Sequence, residues 1–252
     1  MEVGSGIRRL GNNGFINVYL IEEAGAVTIV DTGAPGYYGR ELPAELEAMG
    51  RTLADVSAVV LTHAHSDHLG FAERIRRERH IPVRVHEADA ALARGEVKPQ
   101  RDPNAPGIRA IRPIALLQFL VYGMRTGALR VPPVVEVSTF GDGATLDVPG
   151  TPRVILVPGH SAGSAVLVVK SRDAIFVGDA FATRNVLSGS QGPQLAPFGG
   201  DLRQAFDELT RLDGIEAPLV LPGHGAPWTS GLAAALAEVR KRGRPRGADR
   251  PA

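Results

Sequence analysis

Cysteine is absent from the 252 residues of this sequence. Its absence excludes disulfide bonds, zinc sites with thiolate ligands and thiol nucleophiles. A metal ion would therefore have to be held by histidine and carboxylate side chains. Because disulfides are rare in the cytosol, a chain without cysteine also fits a cytoplasmic protein, and we predict that location.

Long hydrophobic runs are also missing. The most apolar stretch, Ile114 to Met124, is too short to cross a bilayer, which takes about 20 residues. Residues 1–5 show neither the basic segment nor the apolar run that is typical of a secretory signal. We therefore expect no membrane span and no export.

A strong excess of charge of one sign is missing too, since 28 basic residues accompany 27 acidic ones. Residues 240–252 hold six of the basic residues, which leaves the preceding chain mildly acidic. A basic terminus interrupted by glycine and proline is usually solvated, so we predict a disordered tail over 240–252. We assign residues 1–239 to a single domain, whose acidic balance disfavours a nucleic-acid partner.

What the sequence does contain is a dense group of candidate metal ligands at residues 62–68, which read THAHSDH. The group follows an apolar run typical of a buried strand. Side chains two positions apart at a strand end point to the same side, so His63 and His65 can converge on one ion. The turn that follows can direct Asp67 and His68 at a second ion. The stretch therefore predicts one half of a two-metal site.

Three more candidate ligands, His160, Asp179 and His224, occur later in the chain in a shared context. Each follows an apolar, strand-like run and has a glycine directly before it. Strand ends with glycine-containing turns are places where a sheet presents side chains to a common edge. We expect these three side chains to complete the site.

The spacing of apolar residues predicts an α/β fold in two halves, each rich in strands and followed by helices. The predicted strands cover residues 15–21, 26–30, 56–61, 81–85, 134–138, 153–157, 165–170, 174–177 and 218–221. The predicted helices cover residues 36–50, 69–79, 87–93, 114–125, 202–212 and 230–240, and a long loop covers 181–200. We predict a four-layer αβ/βα sandwich whose strand ends meet along one edge.

The alternation of strands and helices breaks between residues 95 and 133. Six prolines surround a single apolar helical run in this segment, which we interpret as a helical insertion. The apolar face of the helix fits three arrangements: ordinary core packing, a mobile lid over the site, or the contact of a homodimer.

Taken together, the segments from Phe15 to Trp228 resemble the metallo-β-lactamase superfamily of binuclear metallohydrolases, and the HxHxDH motif of the THAHSDH stretch is highly specific to it. The resemblance implies a ligand set for each of two metal ions: His63, His65 and His160 for the first, Asp67, His68 and His224 for the second, and Asp179 between them.

The resemblance also implies roles for two aspartates. Asp31, in the sequence Asp31-Thr32-Gly33, matches an aspartate that in this family contacts the metal ligands without binding the metal itself. Asp67 is expected to pass a proton to the leaving group as well as to bind metal. Asp67 is therefore our candidate catalytic residue.

A charge balance indicates the chemistry of such a site. Two divalent ions, the carboxylates of Asp67 and Asp179, and a bridging hydroxide leave a net charge of about +1, which favours a developing oxyanion. Two zinc ions would bring the pKa of a shared water into the neutral range and so supply hydroxide. We predict a dizinc hydrolase that attacks the ester, lactone or thioester carbonyl of a small molecule.

Other activities on the same fold stay open. A persulfide dioxygenase would use a single iron ion held by His63, His160 and Asp179. A β-lactamase is disfavoured because most carry cysteine or histidine where Asp179 stands, and glyoxalase II because only a short segment follows His224. The acidic chain disfavours a nuclease or phosphodiesterase, and the intact ligand set disfavours a non-catalytic binding protein.

Contacts to the substrate are harder to assign, because aromatic residues are few. Lactonases of this family place a carbonyl-binding tyrosine three positions after the bridging aspartate, where this chain has Ala182. We predict Phe181, beside it, and Tyr122, in the insertion, as substrate contacts.

Overall fold

The computed structural model describes residues 1–10, 15–103 and 113–245. Its first sheet has seven strands, in which sequence order equals spatial order. These strands are β1 Glu2–Gly4, β2 Ile7–Arg9, β3 Tyr19–Glu23, β4 Ala26–Val30, β5 Val56–Val60, β6 Val83–His86 and β7 Ser138–Phe140. Neighbours from β1 to β4 pair antiparallel, whereas β4 to β7 pair parallel.

The second sheet has four strands. A separate two-stranded ribbon is formed by the chain between the third and the fourth of them in sequence. The strands are β8 Arg153–Leu156, β9 Ala165–Val169, β10 Ala174–Gly178 and β13 Leu219–Pro222, with β11 Ala182–Arg184 and β12 Gln191–Gln194 forming the ribbon. The order in the sheet is β13-β10-β9-β8, and β10 and β13 are parallel neighbours. Their carboxyl ends therefore lie side by side.

Seven α-helices accompany the sheets in the part of the chain that the structure describes. They are α1 Glu41–Glu47, α2 Ser66–Leu69, α3 Ala72–Arg79, α4 Ala90–Ala93, α5 Pro113–Thr126, α6 Leu202–Glu208 and α7 Leu232–Lys241. No helix among residues 1–10, 15–103 and 113–245 combines the length and apolar character needed to span a membrane.

Three apolar clusters separate four layers and confirm the predicted αβ/βα sandwich. Alternation along β5 shows how they form: Val59 faces the first cluster, with helices α1 and α3, while Ala58 and Val60 face the second, between the two sheets. The third cluster joins the outer face of the second sheet to α7. Both faces of both sheets are covered by apolar packing. Functional side chains are therefore expected at the ends of the strands.

Several element bounds differ from the sequence prediction. The predicted strand 134–138 is wrong, since Val134 donates its N–H to the Ala93 carbonyl and β7 begins only at Ser138. The predicted helix 36–50 divides into a 3-10 helix, Pro35–Gly39, and α1. The predicted loop 181–200 contains the ribbon β11–β12.

The insertion contains the predicted helix, observed as α5, and its residues 104–112 lie outside the described residues. The backbone contact between Ala93 and Val134 brings its two ends together. α5 buries Ala115 yet leaves Leu117 and Met124 largely exposed, at 62% and 66%. The lid and the homodimer contact therefore both stay predictions.

The predicted basic tail needs a correction at its start. Residues 240 and 241 end α7, and Arg240 donates to Asp213 Oδ1 at 2.7 Å. Arg244 Nε donates to Asp207 Oδ1, also at 2.7 Å. These two ion pairs connect Arg240 and Arg244 to the folded chain. The predicted tail beyond residue 245 lies outside the described residues.

Candidate metal centre

The first group of candidate ligands lies where β5 ends and α2 begins. His63 is fully buried in the connecting loop, and His65, with extended backbone, is the residue directly before α2. Asp67 and His68 follow in the single turn of this helix. The predicted strand-then-turn geometry of the THAHSDH stretch is therefore present.

The second group comes from the other sheet. Asp179 directly follows β10, and His224 lies two residues after β13. Gly178 is the register partner of Pro222, so these two strand ends deliver their side chains to the same place. His160 arrives from the loop between β8 and β9.

The two groups meet at short range around Asp179. Its Oδ2 atom lies 3.4 Å from His160 Nε2 and 3.2 Å from His224 Nε2. Its Oδ1 atom lies 3.7 Å from His68 Nε2. His65 Nδ1 approaches His160 Nε2 to 2.9 Å. The structure thus places this carboxylate between imidazoles of both sheets.

Asp67 faces the same group from the rim. Its Oδ2 atom lies 3.2 Å from His224 Nε2, and its side chain is 30% exposed. Ligand-type atoms within 4.8 Å of one another form three sets in the described residues: His63 with His65 and His160, His63 with His68 and Asp179, and Asp67 with His68 and His224.

Unsatisfied polar atoms test whether these residues fit a metal. His63 Nε2, His68 Nε2 and Asp179 Oδ1 are buried without a hydrogen-bond partner within the described chain. Buried polar atoms almost always have partners, and these three belong to one of the close sets. Imidazole nitrogen and carboxylate oxygen are the donors that zinc and iron accept, so the donor set fits such an ion.

Asp31 supports His68 from the side opposite the ligand set. Its Oδ2 atom accepts a hydrogen bond of 2.8 Å from His68 Nδ1, which leaves His68 Nε2 directed at Asp179. The Thr62 backbone N–H and hydroxyl each donate to the same carboxylate, also at 2.8 Å. Asp31 therefore fixes the tautomer and orientation of His68.

A second support, around His224, was missed from the sequence. His224 Nδ1 donates to the carbonyl of Phe15, which turns Nε2 toward the carboxylates. Asn17 Nδ2 donates to the carbonyls of Pro222 and Gly225 at 2.8 Å, on either side of the histidine. These partners are about 200 positions away in sequence, and no local pattern indicates them.

Burial makes three of the imidazoles weak bases. Loss of hydration lowers the pKa of His65, holds that of His63 well below its usual value and brings the pKa of His160 to about 3. These side chains are neutral at pH 7 and can offer a lone pair without first losing a proton.

His68 and His224 differ because carboxylates surround them. Burial lowers the pKa of His68, but Asp31, Asp67 and Asp179 outweigh it and raise the pKa to about 9. Burial is likewise outweighed at His224, where Asp179 has the largest opposing effect and the pKa lies well above its usual value. A metal ion at these positions would take the place of the protons.

The carboxylates themselves stay ionised at neutral pH. Burial alone would raise the pKa of Asp67 and Asp179, yet neighbouring imidazoles hold both well below the usual value. The largest opposing effect comes from His68 for Asp67 and from His224 for Asp179. The site therefore offers two anionic carboxylates, together with imidazoles that are either neutral or carry a proton that a metal ion would replace.

The site opens into a cavity of about 260 Å³. His65, Asp67, His160, Asp179 and His224 line it from the ligand side. The remaining lining is mostly apolar and comes from Ile16, Pro99, Phe119, Ala128, Pro197 and Phe198, together with Ser66, Gln100 and Arg101. A substrate in this cavity would meet both the metal ligands and an apolar wall.

The structure corrects the prediction that Phe181 contacts substrate. Phe181 is fully buried in the third apolar cluster, with Val177 and Val220, and lies outside the cavity lining. The chain turns after Asp179 so that this ring packs toward α7. Phe198, which is 44% exposed, lines the cavity instead.

Tyr122 lies beside the site without lining the cavity. Its ring stacks on Phe15 at 5.1 Å, and its hydroxyl lies 2.5 Å from that of Tyr37. Burial raises the pKa of Tyr122, so the hydroxyl stays protonated. Its role as a substrate contact stays a prediction.

A family profile described as the metallo-beta-lactamase superfamily matches residues 11–224, which include every candidate ligand. The chain belongs to the metallo-beta-lactamase superfamily. Proteins similar to this chain include the probable metallo-hydrolase YflN of Bacillus subtilis. YflN is 27% identical over 228 residues, which cover 84% of this chain and 81% of YflN.

Two further proteins are similar to this chain. The human acyl-coenzyme A thioesterase MBLAC2 is 26% identical over 216 residues, covering 82% of this chain and 72% of MBLAC2. The crystal structure of TTHA1623 in a di-iron-bound form has a TM-score of 0.57 at 23% identity, covering 94% of this chain and 97% of TTHA1623. Membership places this chain among metallo-hydrolases with candidate metal-binding histidines and aspartates.

Proposed function

We propose that the chain is a metal-dependent hydrolase that attacks the carbonyl of an ester, lactone or thioester. The observation that carries the proposal is the convergence of seven ligand-type side chains from both sheets beside one cavity. Within one close set, the atoms His63 Nε2, His68 Nε2 and Asp179 Oδ1 are buried without partners among the described residues, which supports an ion as the missing partner. Two zinc ions bound there would activate water and polarise a carbonyl oxygen.

The residues of the chain have separate tasks in this reaction. Asp179 brings negative charge into the buried centre, and Asp31 holds His68 in place through a hydrogen bond of 2.8 Å. Asp67 lies at the rim with its side chain partly exposed and lines the cavity. This position suits a group that takes a proton from the nucleophile and gives it to the leaving group.

The cavity wall supports an apolar acyl group as the part of the substrate next to the carbonyl. Phe119 from α5 and Phe198 from the loop after β12 present aromatic surface beside Asp67 and His224. A relative, MBLAC2, bears the name of an acyl-coenzyme A thioesterase, which favours a thioester among the three carbonyl classes.

We expect Phe119→Ala to weaken catalysis on long acyl chains selectively. Removal of a ring from an apolar pocket costs about 1–3 kcal/mol of transition-state binding, so kcat/KM should fall roughly tenfold or more for octanoyl thioesters. Acetyl thioesters, which do not reach the wall, should change little. Leu117→Ala is the matched control, because Leu117 lies on the same helix and is largely exposed. Equal losses for both chain lengths would contradict the proposed acyl site.

A substrate panel combined with metal analysis tests the function itself. The protein is purified without added metal, its metal content is measured, and hydrolysis of lactones, aryl esters, acyl thioesters, phosphodiesters and β-lactams is followed. We expect about two zinc ions per chain and carbonyl hydrolysis that chelation abolishes and zinc restores. One iron per chain with persulfide oxidation would replace the proposal by the dioxygenase alternative. Metal-dependent cleavage of phosphodiesters only would contradict it.

A further inference from the structure

A buried aspartate outside the ligand set connects the two halves of the metal centre. Asp89 ends the short 3-10 helix after β6, and only 1% of it is exposed. Its Oδ2 atom accepts hydrogen bonds from the Ala64 N–H at 2.9 Å and the Ser161 hydroxyl at 2.8 Å. Its Oδ1 atom accepts from the Gly163 N–H at 2.7 Å.

The donors to Asp89 come from the two loops that carry three of the candidate ligands. Ala64 lies between His63 and His65 on the first loop, and Ser161 directly follows His160 on the loop between β8 and β9. The carboxylate therefore spans the gap between the first and the second sheet. A hydrogen bond from a backbone N–H fixes the main chain, and with it the direction of the adjacent side chains.

Close packing shows that the second loop rests directly on this carboxylate. A Cβ atom at Gly163 would lie 2.7 Å from the Cβ, Cγ and backbone N of Asp89, which is closer than real contacts allow. The loop that carries His160 therefore has no room to move closer to Asp89, and moving away would break the hydrogen bonds. His65 and His160 belong to the two loops that Asp89 joins, and His65 Nδ1 lies 2.9 Å from His160 Nε2.

Asp89 and Asp31 contact different parts of the candidate metal centre. Asp31 bonds directly to His68, a ligand of the predicted second ion. The three hydrogen bonds that the Asp89 carboxylate accepts come instead from the loops of the predicted first ion. We propose that Asp89 is a positioning residue that holds His63, His65 and His160 at the separation one metal ion requires. This inference rests on the proposed metal-dependent function.

Site-resolved metal binding tests the role of Asp89. Metal-free protein is titrated with cadmium, and cadmium NMR distinguishes the site of three nitrogen ligands from the site that also has the Asp67 oxygen. We expect two resonances for the unsubstituted protein. Asp89→Asn, which keeps the shape but turns an acceptor into a donor, should weaken the three-histidine site by about 10–100-fold and the other site much less. Asp31→Asn should show the reverse selectivity.

A milder variant and a control keep the result interpretable. Ser161→Ala removes one of the three hydrogen bonds and should weaken the same site by roughly fivefold, even if Asp89→Asn folds poorly. Asp142→Asn is the matched control, because Asp142 also accepts from a backbone N–H, that of Leu156 at 2.8 Å, and is not among the ligand sets. We expect both cadmium resonances of the Asp142→Asn variant to be unchanged.

The failures of the two proposals are distinguishable. Equal weakening of both sites, or of neither, in Asp89→Asn and Ser161→Ala would overturn the positioning role while the unsubstituted protein still binds two ions. An unsubstituted protein that binds no ion would overturn the proposed function and this inference together. Melting temperatures of the metal-free variants provide a further readout. If Asp89 had a purely structural role, its substitution would lower the melting temperature and weaken cadmium binding equally at both sites.

Discussion

Asp179→Asn is expected to remove most of the bound metal and to abolish measurable hydrolysis. Asp179 is almost completely buried and has an oxygen within 3.4 Å of both His160 and His224. Asparagine keeps the shape but removes the negative charge that offsets two divalent ions. The loss should exceed the roughly 100-fold that removal of a supporting residue costs. Metal content by mass spectrometry and kcat/KM with a saturating supply of zinc measure the two effects.

A matched control for this variant lies next to the opposite end of β10. Asp173 directly precedes β10, is exposed, and has a φ of 49°, a conformation that asparagine adopts readily. Asp173→Asn should leave metal content and activity unchanged. An Asp179→Asn protein that retained both metal and activity would show that the carboxylate does not lie between two ions.

Asp67→Asn is expected to lower kcat by about 10²–10⁴, in a way that depends on the leaving group. Asp67 is ionised at neutral pH, because imidazoles lower its pKa, and it lines the cavity with its side chain partly exposed, so an ionised carboxylate lies where a proton would be transferred. Alkyl esters need protonation of the departing oxygen, whereas p-nitrophenolate leaves without it. The loss should therefore be large for alkyl esters and much smaller for p-nitrophenyl esters.

The measurement compares kcat for the two ester classes at saturating zinc, because Asp67 is also a candidate ligand. Ser66→Ala serves as the control, since Ser66 lines the cavity beside Asp67 and carries no proton-transfer role. An equal loss for both ester classes would assign Asp67 to metal binding alone. Activity that survives both Asp67→Asn and chelation would refute the mechanism.

The convergence of the candidate ligands could be predicted because its signals are local. The THAHSDH stretch places four ligand-type residues within one strand end and one helical turn, and glycine after an apolar run marks each of the others. Parallel pairing of β10 with β13 then explains why Asp179 and His224 meet. The four-layer order followed from the same strand and helix spacing.

The surroundings of the site depended on distant contacts and could not be predicted. Phe181 and Phe198 are both aromatic residues in a polar stretch, and only the path of the chain after Asp179 buries one and exposes the other. Asp89 receives its hydrogen bonds from residues 25, 72 and 74 positions away. Carboxylates after strands are common, so nothing near Asp89 in sequence marks its partners.

The ribbon β11–β12 and the first two strands were missed for a different reason. Gln191–Gln194 contains glycine and proline, which are depleted in strands, and the Glu2–Gly4 and Ile7–Arg9 strands are only three residues long. Their pairing comes from the neighbouring strand rather than from their own composition. Intrinsic propensity therefore carries little information at these positions.

Because the seven ligand-type side chains come from both sheets, only the native chain brings them together. An unfolded chain keeps His63 and His224 far apart, so an ion at the proposed site would bind the folded form preferentially, and its binding energy would add to the free energy of unfolding. At a free metal concentration 100 times the dissociation constant, this linkage amounts to about 2.7 kcal/mol per ion. The metal supply in the cell would then govern how long the protein survives as well as how fast it works.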